Sequence, residues 1–209
     1  MASIKRSVDT VSQPWRESPY YAEAEQWTWL FWELGGPFRT LFERLDTEVI
    51  LELACGHGRH GEQIVSQAKS LVLVDVVEEN IKVCRERFSA SSNVVFVVNN
   101  GFDFQPIESE SCTGIFSYDA MMHFSPDLVE AYLQDTARVL KPGGLALYHH
   151  SNYPAPPDRH YGQNPHARNH MTKDLFADYA RRSGLVVVEQ VVIPWGGTPD
   201  LDCLSLVAR

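Results

Sequence analysis

Val49-Ile50-Leu51-Glu52-Leu53-Ala54-Cys55-Gly56-His57-Gly58-Arg59-His60-Gly61 is the stretch whose reading decides the fold. An apolar run, Glu48 to Leu53, enters a literal Gly-x-Gly-x-x-Gly without a break. Short apolar runs bounded by glycine read as buried strands, and a helical pattern follows from Gly61 to Ala68. Glycines in this register permit a tight turn and let the backbone approach a ligand closely.

The same alternation continues downstream. Ser70 to Val76, Val94 to Val98, Gly114 to Tyr118 and Leu145 to His149 read as further buried strands. Glu78 to Phe88 and Pro126 to Leu140 read as helices, the second with proline at its start. Lys141-Pro142-Gly143-Gly144 reads as a turn. Thr172 is placed to cap a helix over Lys173 to Ser183, with Gly184 at its end. Leu185 to Ile193 and Cys203 to Ala208 read as two closing strands joined by a Gly/Pro-bearing loop. The expected fold is α/β: a seven-stranded, mostly parallel, doubly wound sheet with a C-terminal antiparallel strand and helices on both faces.

Residues 1–19 are polar, carry Pro14 and Pro19, and read as a flexible N-terminal arm. Residues 20–45 are aromatic and read as helical, interrupted at Gly35-Gly36-Pro37. Residues 46–209 form the principal domain, with an irregular Pro-, Asn- and His-rich segment at 151–171.

The glycine loop alone admits a dinucleotide pyrophosphate or the ribose and methionine portion of S-adenosylmethionine (SAM). An acidic residue inside the strand, then Ala54-Cys55-Gly56-His57-Gly58, resembles the first motif of the class I SAM-dependent methyltransferases. Asp75 ends the second strand, where a carboxylate can accept hydrogen bonds from two ribose hydroxyls. Asn99-Asn100-Gly101-Phe102-Asp103-Phe104 follows the third, and Ile115-Phe116-Ser117-Tyr118-Asp119-Ala120 surrounds the end of the fourth. With Arg138-Val139-Leu140 and the Lys-Pro-Gly-Gly turn, the resemblance covers residues 48–150. It implies SAM as cofactor and S-adenosylhomocysteine as product. It implies cofactor contacts from Glu52, Ala54, Cys55, Gly56, Gly58, Asp75, Asn100, Gly101, Phe102 and Tyr118. An N-terminal helix often covers the cofactor in this family, so Tyr20 or Tyr21 and one tryptophan are the expected lid, with Tyr21 toward the cofactor.

Ligands of open parallel sheets sit beyond the strand C-termini. Six of the eight histidines lie downstream of strand four, toward that end. Histidine is the usual base near neutral pH, so His123, His149 and His150 are the candidate catalytic residues for an alcohol acceptor. Successive strand residues face opposite ways, so His149 and His150 cannot both enter one pocket while the strand is regular. Asp119, Tyr153, His166, Arg168 and His170 are the candidate substrate contacts. Magnesium prefers oxygen ligands and this cluster is rich in histidine, so no metal is expected.

The formal net charge of −9 over 209 residues disfavours a nucleic-acid partner. No large insertion offers a protein or RNA docking module, and no Asn-Pro-Pro-Tyr signature follows strand four. A small-molecule acceptor is expected, a sugar or natural-product hydroxyl, with a homodimer allowed. No apolar run reaches membrane-span length, and four scattered cysteines fit a cytoplasmic protein. The alternatives are an N-methyltransferase, a SAM-binding protein without turnover and, more remotely, a NAD-dependent oxidoreductase.

Overall fold

The glycine-bounded run forms strand β1 (Val49–Leu53), which pairs in parallel with β2 (Ser70–Asp75) on one side and β4 (Cys112–Ser117) on the other. The computed structural model describes residues 2–156 and 158–209. β3 (Val94–Val98) extends the sheet in parallel beyond β2, and β5 (Leu140–Ser151) beyond β4. β7 (Thr198–Ala208) inserts antiparallel between β5 and β6 (Val186–Trp195). The order across the seven strands is β3-β2-β1-β4-β5-β7-β6. The expected mixed sheet with its antiparallel C-terminal strand is the one observed.

Two-residue alternation sorts each strand between two cores. Ile50, Leu71, Leu73, Phe116 and Leu147 pack on one face with Phe38, Ile64 and Ile81. Leu51, Leu53, Val72, Ile115 and Ala146 pack on the other with Tyr132, Leu133 and Phe176. The helices supplying these partners are α4 (Pro37–Phe42), α5 (Gly61–Ile64) and α6 (Glu78–Arg87) on the first face, and α7 (Pro126–Val139) and α8 (Lys173–Arg182) on the second. Thr172 accepts from the Leu175 N–H at 3.1 Å, the cap expected for α8, and Gly184 follows at φ 82°. Lys141–Gly144 does turn, but as an irregularity inside β5: Cys112 pairs with Leu140, and Gly114 next with Leu145.

The N-terminal arm departs from expectation. Residues 1–19 contain α1 (Ala2–Ser12), not a loose tail. Ile4, Val8 and Val11 recur at helical spacing and form a small cluster with Leu128, Phe102 and Phe124. The aromatic stretch is also more broken than expected, with α2 (Tyr20–Glu23) and α3 (Thr28–Phe31) preceding α4. Phe31 and Trp32 pack onto the first core, while Trp27 and Trp29 are exposed. Among the described residues no helix is long and apolar enough to cross a membrane.

Candidate cofactor and acceptor pocket

The C-terminal ends of β1, β2 and β4 open into one cavity, partly open to solvent. Its floor is Leu53, Ala54, Cys55 and Gly56 from the loop after β1, with Asp75, Asn99, Gly101 and Tyr118 around it. Val8, Val11, Trp15, Tyr20 and Tyr21 close it from the N-terminal segment.

One side of the cavity fits a ribosyl group. Asp75 Oδ2 accepts from the Gly56 N–H at 2.9 Å, and Oδ1 from the Val77 N–H at 2.8 Å. Each carboxylate oxygen retains a lone pair for a hydroxyl. Burial pushes the Asp75 carboxyl up to about 6, although the Val77, Gly56 and Asn80 hydrogen bonds pull it down. Gly56 has φ +53°, and a Cβ there would meet the Tyr21 ring at 2.8 Å. Tyr21 stacks on His57 with ring centroids 4.6 Å apart, and its hydroxyl accepts from Asn80 Nδ2 at 3.0 Å. Asn99 Nδ2 donates to the Tyr132 hydroxyl and to the Asp103 carbonyl, fixing the loop after β3.

The opposite side is polar and charged. Asp119 has φ 55°, a left-handed conformation tolerated best by Asn, Asp and Gly. Its Oδ2 accepts from Arg59 Nη2 at 2.5 Å and from the Tyr20 hydroxyl. Arg59 also donates to the Ala24 carbonyl at 2.9 Å, tying the lid segment to the glycine loop. His123 Nδ1 lies 2.9 Å from the Ala167 carbonyl. A carbonyl only accepts, so Nδ1 carries the proton and Nε2 holds a bare lone pair. Burial pulls the His123 imidazolium down to about 4, partly offset by the Ala167 bond. Trp15 packs on this ring, with centroids 4.7 Å apart.

His123, Tyr21, Ala54, Cys55, Gly56, Asp75, Gly101, Tyr118 and Asp119 all line the cavity. The other expected site residues lie outside its lining. His150 is on the far face, stacked on Phe176 at 4.0 Å and bonded to Ser205 Oγ and the Ser151 carbonyl. His149 is fully buried, with its ring stacked on Tyr118 and its Nε2 3.0 Å from Asp202. Neither is open to receive a proton from a substrate. Asn100 spends its Oδ1 on the Phe102 and Asp103 N–H groups and is exposed. Phe102 packs against the α1 cluster. Gly58 makes room for Phe88, whose ring would meet a Cβ there at 2.6 Å. Glu52 lies beneath the loop, with Oε2 unpartnered among the described residues, and burial raises its carboxyl to about 8.

The expected substrate segment mostly holds itself. Tyr153 binds by backbone to Ala155 and Met171, and His170 Nδ1 lies 3.2 Å from the Ala155 carbonyl. His166 is exposed and sits over Gly196. Arg168 is buried in an ion pair with Asp202. Residues the sequence reading missed are Arg59, His60 and Trp15. The variable positions of Gly-x-Gly-x-x-Gly carry no backbone requirement to mark the first two. His60 Nδ1 accepts from Trp32 Nε1 at 3.1 Å, which puts its proton on an Nε2 without a partner among the described residues.

Sheet order and loop placement together define a Rossmann-like fold, the one shared by the methyltransferase structures that this chain resembles. Residues 50–144 match the family model described as a methyltransferase domain.

Solved structures share the fold at low identity. A chain from the complex between the Haloferax volcanii Trm112 methyltransferase activator and a methyltransferase candidate matches with TM-score 0.69 and 17% identity. The match covers 93% of this chain and 95% of that one. A protein from Pyrococcus horikoshii OT3 matches with TM-score 0.71 and 17% identity, over 94% and 98% of the two chains. The geranyl diphosphate C-methyltransferase of Streptomyces coelicolor A3(2) matches with TM-score 0.67 and 15% identity, over 82% and 76%. That last structure contains Mg2+, geranyl diphosphate and S-adenosyl-L-homocysteine.

Proposed function

We propose that the protein transfers the methyl group of SAM to a hydroxyl of a small acceptor, with His123 as the base. One observation carries the reading: a single cavity is lined by the glycine loop and Asp75 on one side and by His123 on the other. Bound SAM supplies the methyl electrophile, so the protein needs only to align, exclude water and take a proton.

Asp75 would hold the ribose hydroxyls, and the Ala54–Gly56 backbone would hold the methionine portion. Val8, Val11 and Tyr21 close over the cofactor side, while Trp15 and Tyr20 close over the acceptor side. His123 Nε2 accepts the acceptor proton while the Ala167 carbonyl holds the ring. Asp119 and Arg59 form the polar wall against which the acceptor is oriented. The covered cavity supports a small acceptor over a polymer. Four buried free thiols support a reducing, cytoplasmic setting.

The deciding experiment is calorimetry with SAM, S-adenosylhomocysteine and NAD on the wild type and on Asp75→Ala. Binding of the first two, lost in the variant, with none for NAD, supports the reading and licenses a screen of hydroxylated acceptors by S-adenosylhomocysteine release. NAD binding without SAM binding overturns it.

A further inference from the structure

Behind the acceptor wall lies a chain of buried polar groups that does not touch the cavity. Asp202 and His149 are 0% exposed and Arg168 is 2% exposed. Arg168 meets the Asp202 carboxylate as a fork, Nε to Oδ1 at 2.8 Å and Nη2 to Oδ2 at 2.5 Å. His149 Nε2 reaches Asp202 Oδ2 at 3.0 Å, and the Asp119 N–H points at His149 Nδ1 at 3.2 Å. On its other side Arg168 Nη1 donates to the His166 carbonyl at 2.9 Å, and its own carbonyl accepts from Asn164 Nδ2 at 2.8 Å. The intervening residue, Ala167, presents the carbonyl that binds His123 Nδ1.

A buried ion pair adds little net stability compared with a well-packed apolar substitute. What it supplies is geometry, because a guanidinium fork fixes both the plane and the position of its carboxylate. That fixed carboxylate can only accept, so the proton of His149 stands on Nε2. Nδ1 is then a bare acceptor, aimed at the one backbone N–H that follows Tyr118. Asp119 is held there in a left-handed conformation, with its side chain turned to Arg59 and Tyr20. The same carboxylate anchors Arg168 and so the Ala167 carbonyl. Hydrogen bonds from His149 and Arg168 outweigh the cost of burial and keep the Asp202 carboxyl low, at about 2.

We propose that Asp202 is the positioning residue of the acceptor side, setting Asp119 through His149 and the His123 tautomer through Arg168 and Ala167. The proposal rests on the methyltransferase reading for the meaning of an acceptor side, but its geometry can be tested separately. Arg168 is then an anchor for the 151–171 segment and not a substrate contact, and His149 is an orienting relay and not a base. Substitution at Asp202 disturbs acceptor-side groups while leaving the Asp75 side intact.

The test is the protonation pattern of the histidine rings, read by long-range proton–nitrogen correlation on the 15N-labelled full chain. In the wild type, the proton is expected on Nε2 of His149 and on Nδ1 of His123. Asp202→Asn keeps an acceptor for Arg168 but turns an NH2 toward His149. The His149 proton should move to Nδ1, where it opposes the Asp119 N–H, and the Asp119 amide resonance should shift. Asp202→Glu, which retains the carboxylate, should restore the wild-type pattern. S-adenosylhomocysteine affinity of both variants should stay within about threefold of wild type, as for sites with no shared partner. An unchanged His149 tautomer in folded Asp202→Asn overturns the proposal. If that variant does not fold, the wild type decides: a proton on His149 Nδ1 or on His123 Nε2 overturns it equally. Wild-type tautomers as expected, with no S-adenosylhomocysteine binding, would remove the cofactor reading and leave the positioning chain standing.

Discussion

Val8 of α1 lies so close over Gly101 that a Cβ at residue 101 would stand 2.5 Å from Val8 Cγ1. The lid is therefore seated on the loop after β3, and Trp15 and Tyr20 carry it across to His123 and Asp119. Among the described residues, neither main core draws a buried residue from positions 1–19. A chain beginning at Tyr20 should keep a cooperative thermal transition. It should bind S-adenosylhomocysteine about tenfold more weakly, a loss of about 1.4 kcal/mol. Calorimetry beside a circular-dichroism melt separates the two effects; equal affinity with and without the segment would show that it is not a lid.

Asp75 makes cofactor affinity depend on pH. Its carboxyl sits at about 6 in the folded chain because it is buried, despite four lowering hydrogen bonds, from Val77, Gly56, Asn80 and Val76. Only the ionised form offers all its lone pairs to two ribose hydroxyls. S-adenosylhomocysteine affinity should be level from pH 7 to 8 and fall below pH 6, toward about tenfold per unit at the limit. Asp75→Asn should bind weakly with no such slope. A slope that persists in the variant would place the titrating group elsewhere.

Most of the fold was legible, and the site was legible in part. VILEL, SLVLVD and VVFVV declare buried parallel strands because uninterrupted apolar runs that short fit few other roles. Gly56 and Gly101 declare themselves through backbone requirements after strand ends, and Asp75 as the carboxylate that ends a buried strand. α1 was hidden because Ile4, Val8 and Val11 form a three-residue stripe among polar neighbours, too thin to outweigh composition. His149 and His150 were correctly read as facing opposite ways, but strand alternation cannot tell that Tyr118 covers the one on the pocket's face. The sequence alone makes Arg168 a candidate substrate contact because its partner, Asp202, is 34 positions away on β7, and only the antiparallel insertion of that strand brings them together.

Glu52 offers a stability test with a definite sign. Burial raises its carboxyl to about 8, above its unfolded value near 4.3. The folded chain holds this proton more tightly than the unfolded chain does. The contribution is therefore fully present below about pH 4, declines as pH rises through the window to 8, and is flat beyond. Glu52→Gln removes the proton and the slope. Its stability relative to wild type should rise between pH 5 and 8, by up to about 1.4 kcal/mol per unit. Urea unfolding at three pH values reads this directly; parallel curves would mean that Glu52 ionises in place without penalty.

His123 links the acceptor's chemistry to the structure. His123→Asn can still donate from its amide to the Ala167 carbonyl but has no nitrogen in the place of Nε2. Turnover should fall about 10²–10⁴-fold, the usual worth of a positioned base, with S-adenosylhomocysteine affinity unchanged. Burial also holds the imidazolium down at about 4, so the ring is neutral and ready at pH 6–8 but is a weak base. A weak base removes a proton easily only from an acidic hydroxyl. Among acceptors of similar size, rates should rise as the hydroxyl pKa falls, phenols ahead of sugar alcohols, and His123→Asn should lose most on the least acidic ones. A rate set indifferent to acceptor pKa and to this substitution would mean that the nucleophile arrives already deprotonated and that His123 only shapes the pocket.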